Sequence, residues 1–241
     1  MIGIAIPAHN EESNLDACLV SLLAAARHPL LDGEKVCVQV VLDACDDGSA
    51  AVVARHQAAF AAAGMALDME EVAARQVGVA RALGARRLLA QGARWLAFTD
   101  ADTRVSPRWL VAQLAQGADV VCGSVAVDDW SPHAANAQAL RAHFADTYQD
   151  RDGHRHIHGA NLGVSAEAYQ AAGGFEAVAC HEDVLLVKAL ERIGARFAWS
   201  AQPRVYTSAR TDARARGGFG DTLLAVLAGK AQGQQGQAAA Q

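Results

Sequence analysis

The sequence predicts an α/β fold with a mainly parallel sheet covered by helices on both faces. Three observations predict it. Short apolar runs of strand length alternate with longer stretches at helical spacing, the pattern of β-α units whose strands are buried on both sides. The chain is 241 residues long and 52% hydrophobic, enough for a sizeable core. Three of the apolar runs end in clustered carboxylates, and open α/β sheets bind ligands outside the carboxyl ends of their strands.

The first run, IGIAIP, reads as a short buried strand. Leu15, Cys18, Leu19, Leu22 and Leu23 then recur at helical spacing and give one apolar face. KVCVQVVLD is the second strand, and SAAVVARHQAAFAAAG the second helix, with Gly64 as its stop. Residues 70 to 91 read as one long helix rich in alanine and arginine. RWLAFTD is the third strand. SPRWLVAQLAQG is a punctuated helix, with Ser106 as cap, Pro107 in the first turn and Gly117 at the end. ADVVCGSVAV is the fourth strand, residues 131 to 151 look helical, and HEDVLLVKALERIG is a helix with Leu185, Leu186, Leu190 and Ile193 facing inward and Gly194 closing it. The tail KAQGQQGQAAAQ is low in complexity and is expected to be disordered. With no internal repeat and no clear linker, residues 1 to 229 read as one domain and 230 to 241 as a tail.

Composition narrows the function. A formal net charge of −5 argues against a general nucleic-acid binder. The five cysteines, Cys18, Cys37, Cys45, Cys122 and Cys180, are odd in number and include no CxxC pair, so neither a disulfide framework nor a zinc site is expected. A reducing, cytoplasmic setting is expected, with peripheral attachment at the inner membrane as an alternative. No run reaches the roughly 20 apolar residues of a membrane span.

The acidic clusters carry the chemistry. Asn10, Glu11 and Glu12 follow the first strand, Asp43, Asp46 and Asp47 the second, and Asp100 and Asp102 the third. Aspartate is common in turns because its side chain accepts from nearby backbone amides. Carboxylates at three strand ends point further, to a shared hard cation such as Mg²⁺ or Mn²⁺ with positions left for phosphate oxygens.

On these residues the chain resembles the family 2 glycosyltransferases, which have the GT-A fold. IAIPAHNEESNLDACLVSL is similar to the family's opening strand and helix, VVLDACDDGSA to its second-strand motif, VGVARALGAR to its basic helix and TDADTR to its Asp-x-Asp motif. HGANLGVS, GGF and HEDVLL resemble the acceptor-side segments, in the expected order. The resemblance implies inverting transfer of a sugar from a nucleotide-sugar donor, of UDP or GDP type, to an acceptor that the sequence does not name. It implies that Pro7, Ala8, Asn10, Glu11, Asp43, Arg81 and Asp100 line the nucleotide pocket. Asp100 and Asp102 would manage sugar and metal, Asp102 being the direct ligand. Asp183 would be the general base, with Glu182 as fallback. His181 or His158 would complete the metal site. Gly159, Ala160 and Asn161 would form a floor for sugar or acceptor, and Arg210, Arg214 and Arg216 a basic loop over the diphosphate. No Gln-x-x-Arg-Trp motif follows Asp183, so transfer of a single sugar is expected rather than polymerisation.

Simpler readings stand beside these. Acidic residues at a helix start complement its dipole without doing chemistry, arginines along a helix commonly face solvent, and His154, His156 and His158 read as one face of a strand. Two other functions fit parts of the pattern. A haloacid-dehalogenase-type phosphatase also uses Asp-x-Asp after a strand, but its threonine two residues on is replaced here by Arg104. A nucleotide-sugar binding protein without catalysis is the other. A dinucleotide-dependent dehydrogenase is disfavoured, because no GxGxxG follows the first strand.

Overall fold

A computed structural model of the protein describes residues 1–211. Eight strands form one sheet: β1 (Ile2–Ala8), β2 (Val36–Asp43), β3 (Ala66–Val72), β4 (Trp95–Phe98), β5 (Thr103–Val105), β6 (Val120–Ala126), β7 (Leu162–Ser165) and β8 (Phe197–Thr207). Their order is β3-β2-β1-β4-β7-β6-β8-β5. Strands β3, β2, β1 and β4 run parallel, as do β6 and β8; β7 inserts antiparallel between β4 and β6, and β5 closes the far edge antiparallel to β8. The helices are α1 (Leu15–Ala26), α2 (Ser49–Ala62), α3 (Val77–Ala90), α4 (Trp109–Leu114), α5 (Ala137–Thr147), α6 (Ala166–Ala171) and α7 (Glu182–Arg192).

The alternation of side chains along each strand places helices on both faces. Helix α3 lies on the face of Gly3 and Ala5, and small residues let it come close. A Cβ on Gly3 would stand 2.9 Å from Leu88 Cβ, and one on Gly84 would stand 3.0 Å from Ala5 Cβ. Leu96 and Phe98 of β4 share this face, with Val187 and Leu190 of α7 in the same core. Trp95 points the other way, where its Nε1 donates to Gln113 Oε1 of α4 at 2.9 Å. Ile2, Ile4 and Ile6 alternate with Gly3 and Ala5 and are fully buried.

The chain divides into two units. The first comprises residues 1–126 and 150–207 and carries the whole sheet. The second comprises, among the described residues, 127–149 and 208–211. Trp130, Leu140 and Ala209 form its buried centre, with Phe144 packed against them. Tyr148 stacks on Phe144 with ring centroids 4.6 Å apart. Arg214, Arg216, the apolar DTLLAVLAG and the low-complexity tail lie outside the described residues.

Several local expectations are corrected. Residues 70 to 91 are not one helix: β3 runs to Val72, and α3 starts at Val77 after a loop in which Arg75 adopts φ +50°. Helix α4 starts at Trp109, whose N–H donates to the Ser106 carbonyl, so Ser106 turns the chain through its backbone rather than capping through its hydroxyl. Ile193 is 45% exposed, because α7 has already ended at Arg192. The His154–His158 run is a loop instead of a strand. Its rings still associate, stacking in succession at 5.5 and 5.9 Å. The stops at Gly64 and Gly194 are as expected, both with positive φ. No helix among the described residues is long and apolar enough to cross a membrane.

Candidate active site

The strand ends bring the acidic clusters together, but each carboxylate has its own work. After β1 the chain turns through Asn10 at φ +54°. Asn10 Nδ2 donates to Asp46 Oδ1 at 2.6 Å, and the Asp46 N–H donates back to Asn10 Oδ1 at 2.9 Å. Glu12 and Asp47 make a similar exchange: the Glu12 N–H donates to Asp47 Oδ2, and the Gly48 N–H to Glu12 Oε2. The Glu11 N–H donates to Ser49 Oγ, the first residue of α2. These bonds lace the loop after β1 to the loop after β2. Here the turn reading of these carboxylates holds for Asp46, Asp47 and Glu12. Pro7 and Ala8 end β1 beside this lacing.

Asp43 is buried at the end of β2, and its two oxygens accept from the N–H groups of Arg75 and Gln76 at 2.7 and 2.8 Å. It therefore fixes the approach to α3. The His9 ring lies 2.7 Å from the Asp43 carbonyl.

Arg81 sits at the centre of the arrangement and is only 4% exposed. Its guanidinium pairs with Asp100 at the end of β4 and with Glu182 at the start of α7. It lies over the Phe175 ring, 5.9 Å from the centroid, and Phe175 meets Phe98 of β4 edge-on at 4.9 Å. Two glycines make room. A Cβ on Gly159 would occupy the guanidinium's place, and one on Gly78 would stand 2.6 Å from the Glu176 carbonyl. Burial lowers the basicity of Arg81, but Asp100, Glu182 and Asp183 outweigh it and keep it a firm cation. Burial pushes the Glu182 carboxyl up; Arg81 opposes this and Asp183 adds to it.

Asp183 is half-buried next to this pair. Its Oδ2 accepts from the Gly159 N–H and its Oδ1 from the Val184 N–H, both at 2.8 Å. A carboxylate has about four lone-pair sites, so two backbone donors orient it and leave capacity to accept from a hydroxyl. His158, just before Gly159, keeps a partly open surface. The protein packed around it, with the charges of His156 and His154, holds it down to about 4 against the pull of Asp183.

Asn161 is placed differently from expectation. It is 1% exposed and wholly engaged: Oδ1 accepts from Trp109 Nε1 at 2.8 Å, and Nδ2 donates to the carbonyls of Ser124 and Pro203 at 2.7 and 2.5 Å. Its amide braces α4, β6 and β8 from beneath instead of facing a ligand. Gly159 and Ala160 remain as the backbone floor above it, in the same short 3-10 turn.

The proposed metal set is not assembled as three protein ligands. Among the described residues no group of three or more His, Cys, Asp or Glu side chains is placed to hold a metal. Asp100 is engaged by Arg81, and His181 is exposed at the start of α7 with φ +62°. Asp102 is half-buried after a tight turn in which the Thr103 N–H donates to the Asp100 carbonyl. Burial, then Asp102, Asp100 and Glu11, push the Cys18 thiol well up, so these three carboxylates share one electrostatic neighbourhood. Oxygen donors of this kind suit Mg²⁺ or Mn²⁺, which bind through one or two carboxylates and take their other ligands from phosphates and water. Arg210 belongs to the second unit.

The sequence motifs GGF and VGVARALGAR include Phe175 and Gly78 but assign them no role, and they do not show the inward turn of Arg81. The two glycines in VGVARALGA, Gly78 and Gly84, were the available signal, since a glycine inside a helix usually marks close packing.

The sequence profile of Glycosyl transferase family 2 matches residues 3–173. The chain belongs to that family. Solved structures agree in fold. TarS of S. aureus, in a complex with UDP-GlcNAc, superposes with a TM-score of 0.62 at 14% identity, covering 90% of this chain and 61% of TarS 1-349. The mannosyltransferase PcManGT of Pyrobaculum calidifontis, in complex with GDP-Man and Mn²⁺, gives 0.61 at 16% identity, over 90% of this chain and 58% of that one. A mycobacterial protein gives 0.53 at 19% identity. This chain thus spans about three fifths of the first two structures. No curated protein matches it by sequence.

Proposed function

We propose that this glycosyltransferase moves one sugar from a UDP- or GDP-linked donor to an acceptor hydroxyl, with inversion and with assistance from Mn²⁺ or Mg²⁺. The observation that carries the reading is Asp183. It is a half-open carboxylate held by two backbone N–H groups at the start of α7, beside the buried Arg81 and Glu182 and the half-buried Asp100. Donors of both nucleotide classes occur in the structural neighbours TarS and PcManGT.

In this reading Asp183 accepts the proton of the acceptor hydroxyl as the new C–O bond forms on the face opposite the departing nucleotide. A carboxylate is a weak base toward an alcohol, so proton transfer follows the onset of bonding. Burial and pairing with Arg81 disfavour Glu182 as the fallback base. Asp102 would hold the cation, which when bound offsets charge on the leaving diphosphate. Asp43, Asn10 and Glu11 would stabilise the nucleotide end of the cleft through the loops they fix. A phosphatase reading would need Asp100 as nucleophile, and its pairing with Arg81 disfavours that attack.

The test has two parts. A thermal-shift panel of UDP and GDP with Mn²⁺ should show one nucleotide stabilising the protein by roughly 5–10 °C at a hundred times its dissociation constant. With the matching nucleotide sugar, Asp183→Asn should lower turnover about 10²–10⁴-fold and leave nucleotide affinity in place. Full activity in Asp183→Asn, or no binding of any nucleotide, sinks the proposal.

A further inference from the structure

Arg81 was expected to touch the nucleotide, yet its guanidinium lies beneath the site and is nine-tenths buried or more. It joins three elements that are distant in sequence: Asp100 at the end of β4, Glu182 at the start of α7 and the Gly159 turn on which it rests. The Gly159 N–H is in turn one of the two donors that orient Asp183. Buried like this, Arg81 has little surface to offer a ligand. Its planar fork does something a lysine cannot do, which is to hold two carboxylates at a fixed separation.

We infer that Arg81 is a positioning residue, a buried clamp that fixes Asp183 relative to the Asp100–Asp102 turn by holding Asp100, Glu182 and the Gly159 turn together. The inference rests on the proposed role of Asp183. The two carboxylates at issue, Asp100 on the donor side and Asp183 on the acceptor side, come from elements 83 residues apart in sequence. Backbone hydrogen bonds in the sheet fix the end of β4 through β1 and β7. They do not fix the first turn of α7, which is a helix start reached through a loop. The Arg81 fork supplies that tie directly. Phe175 and Gly78 support it, one by packing on the guanidinium and the other by letting the start of α3 approach Glu176 and Glu182.

A clamp and a ligand make different predictions for the same substitution. Arg81→Lys keeps the charge and loses the fork. As a clamp variant it should lose turnover about 10²-fold, the cost of a misplacement near 1 Å, while affinity for the nucleoside diphosphate stays within about threefold. As a ligand variant it should lose affinity in step with activity. A second readout needs no activity at all. Amide hydrogen exchange at Gly159 and Val184 should quicken at least tenfold in Arg81→Lys, while the amides of Arg75 and Gln76, held by Asp43, stay protected as in the wild type. If Arg81→Lys does not fold, Gly159→Ala makes the same test, because its methyl displaces the guanidinium without removing a charge. Affinity lost in parallel with turnover, or unchanged exchange at Gly159 and Val184, overturns the clamp. A wild type that binds no nucleotide overturns the functional proposal instead, and the exchange measurement still decides the clamp.

Discussion

Replacing Asn161 by alanine separates a scaffold from a ligand floor. The Asn161 amide is buried and makes three hydrogen bonds, to Trp109, Ser124 and Pro203. Alanine removes all three, at about 1 kcal/mol each. It also leaves the indole N–H of Trp109, a fully buried residue, without an acceptor, which adds about 1–2 kcal/mol. The sum is about 4–5 kcal/mol, a large part of the 5–15 kcal/mol typical of a folded domain. For a chain of this size it corresponds to a fall in Tm of roughly 10–15 °C. Urea denaturation followed by tryptophan fluorescence measures it. Asn161→Asp should be at least as damaging, since a carboxylate cannot donate to the two carbonyls. A stable Asn161→Ala that has lost activity would refute the reasoning and return Asn161 to the sugar floor.

Three further outcomes follow from the geometry. Gly3→Ala pushes a methyl to within 3 Å of Leu88 and should destabilise by about 1–3 kcal/mol, measured by the same denaturation; an unchanged midpoint would mean α3 moves aside freely. Asp43→Asn turns one acceptor into a donor facing the Arg75 or Gln76 N–H, and should cost about 1–3 kcal/mol and weaken nucleotide binding, both readable by thermal shift. His158 is held at about 4, below the ordinary histidine value of 6.5. The unfolded chain therefore binds the proton more readily, and the stability that neutral His158 contributes is complete above pH 6.5 and drains away as pH falls toward 4. His158→Gln should flatten that part of the stability–pH curve, and a slope identical to wild type would place the effect elsewhere.

The sequence made the parallel half of the sheet legible because β1, β2 and β4 are buried on both faces and read as unbroken apolar runs. Strand β3 is hidden in ALDMEEV, since this edge strand is exposed on both faces and carries aspartate and glutamate, residues with low strand preference. Strands β5 and β7, of three and four residues, are too short to show a period, so the antiparallel insertion could not be anticipated. The acidic motifs marked the correct strand ends. What spacing could not show was which oxygens are already engaged. Asp43 accepts backbone amides, Asp100 faces Arg81 and Asn161 faces inward, and these facts depend on burial and partner, not on residue type. His181 illustrates the same limit: it heads a helix as the sequence predicts, but a left-handed backbone there leaves it exposed.

On the ribosome, β1 to β4 emerge early and can pair in their final order before β7 exists. Residues 99–161 must be made first, so β4 waits as an open edge. Leu96 and Phe98 on that edge are fully buried in the finished protein, and an unpaired apolar strand is a template for pairing with another chain. The nascent protein should therefore be most vulnerable to aggregation in the interval between synthesis of Phe98 and of Leu162. Slow translation across that interval should lower its soluble yield more than a pause of equal length placed after β7.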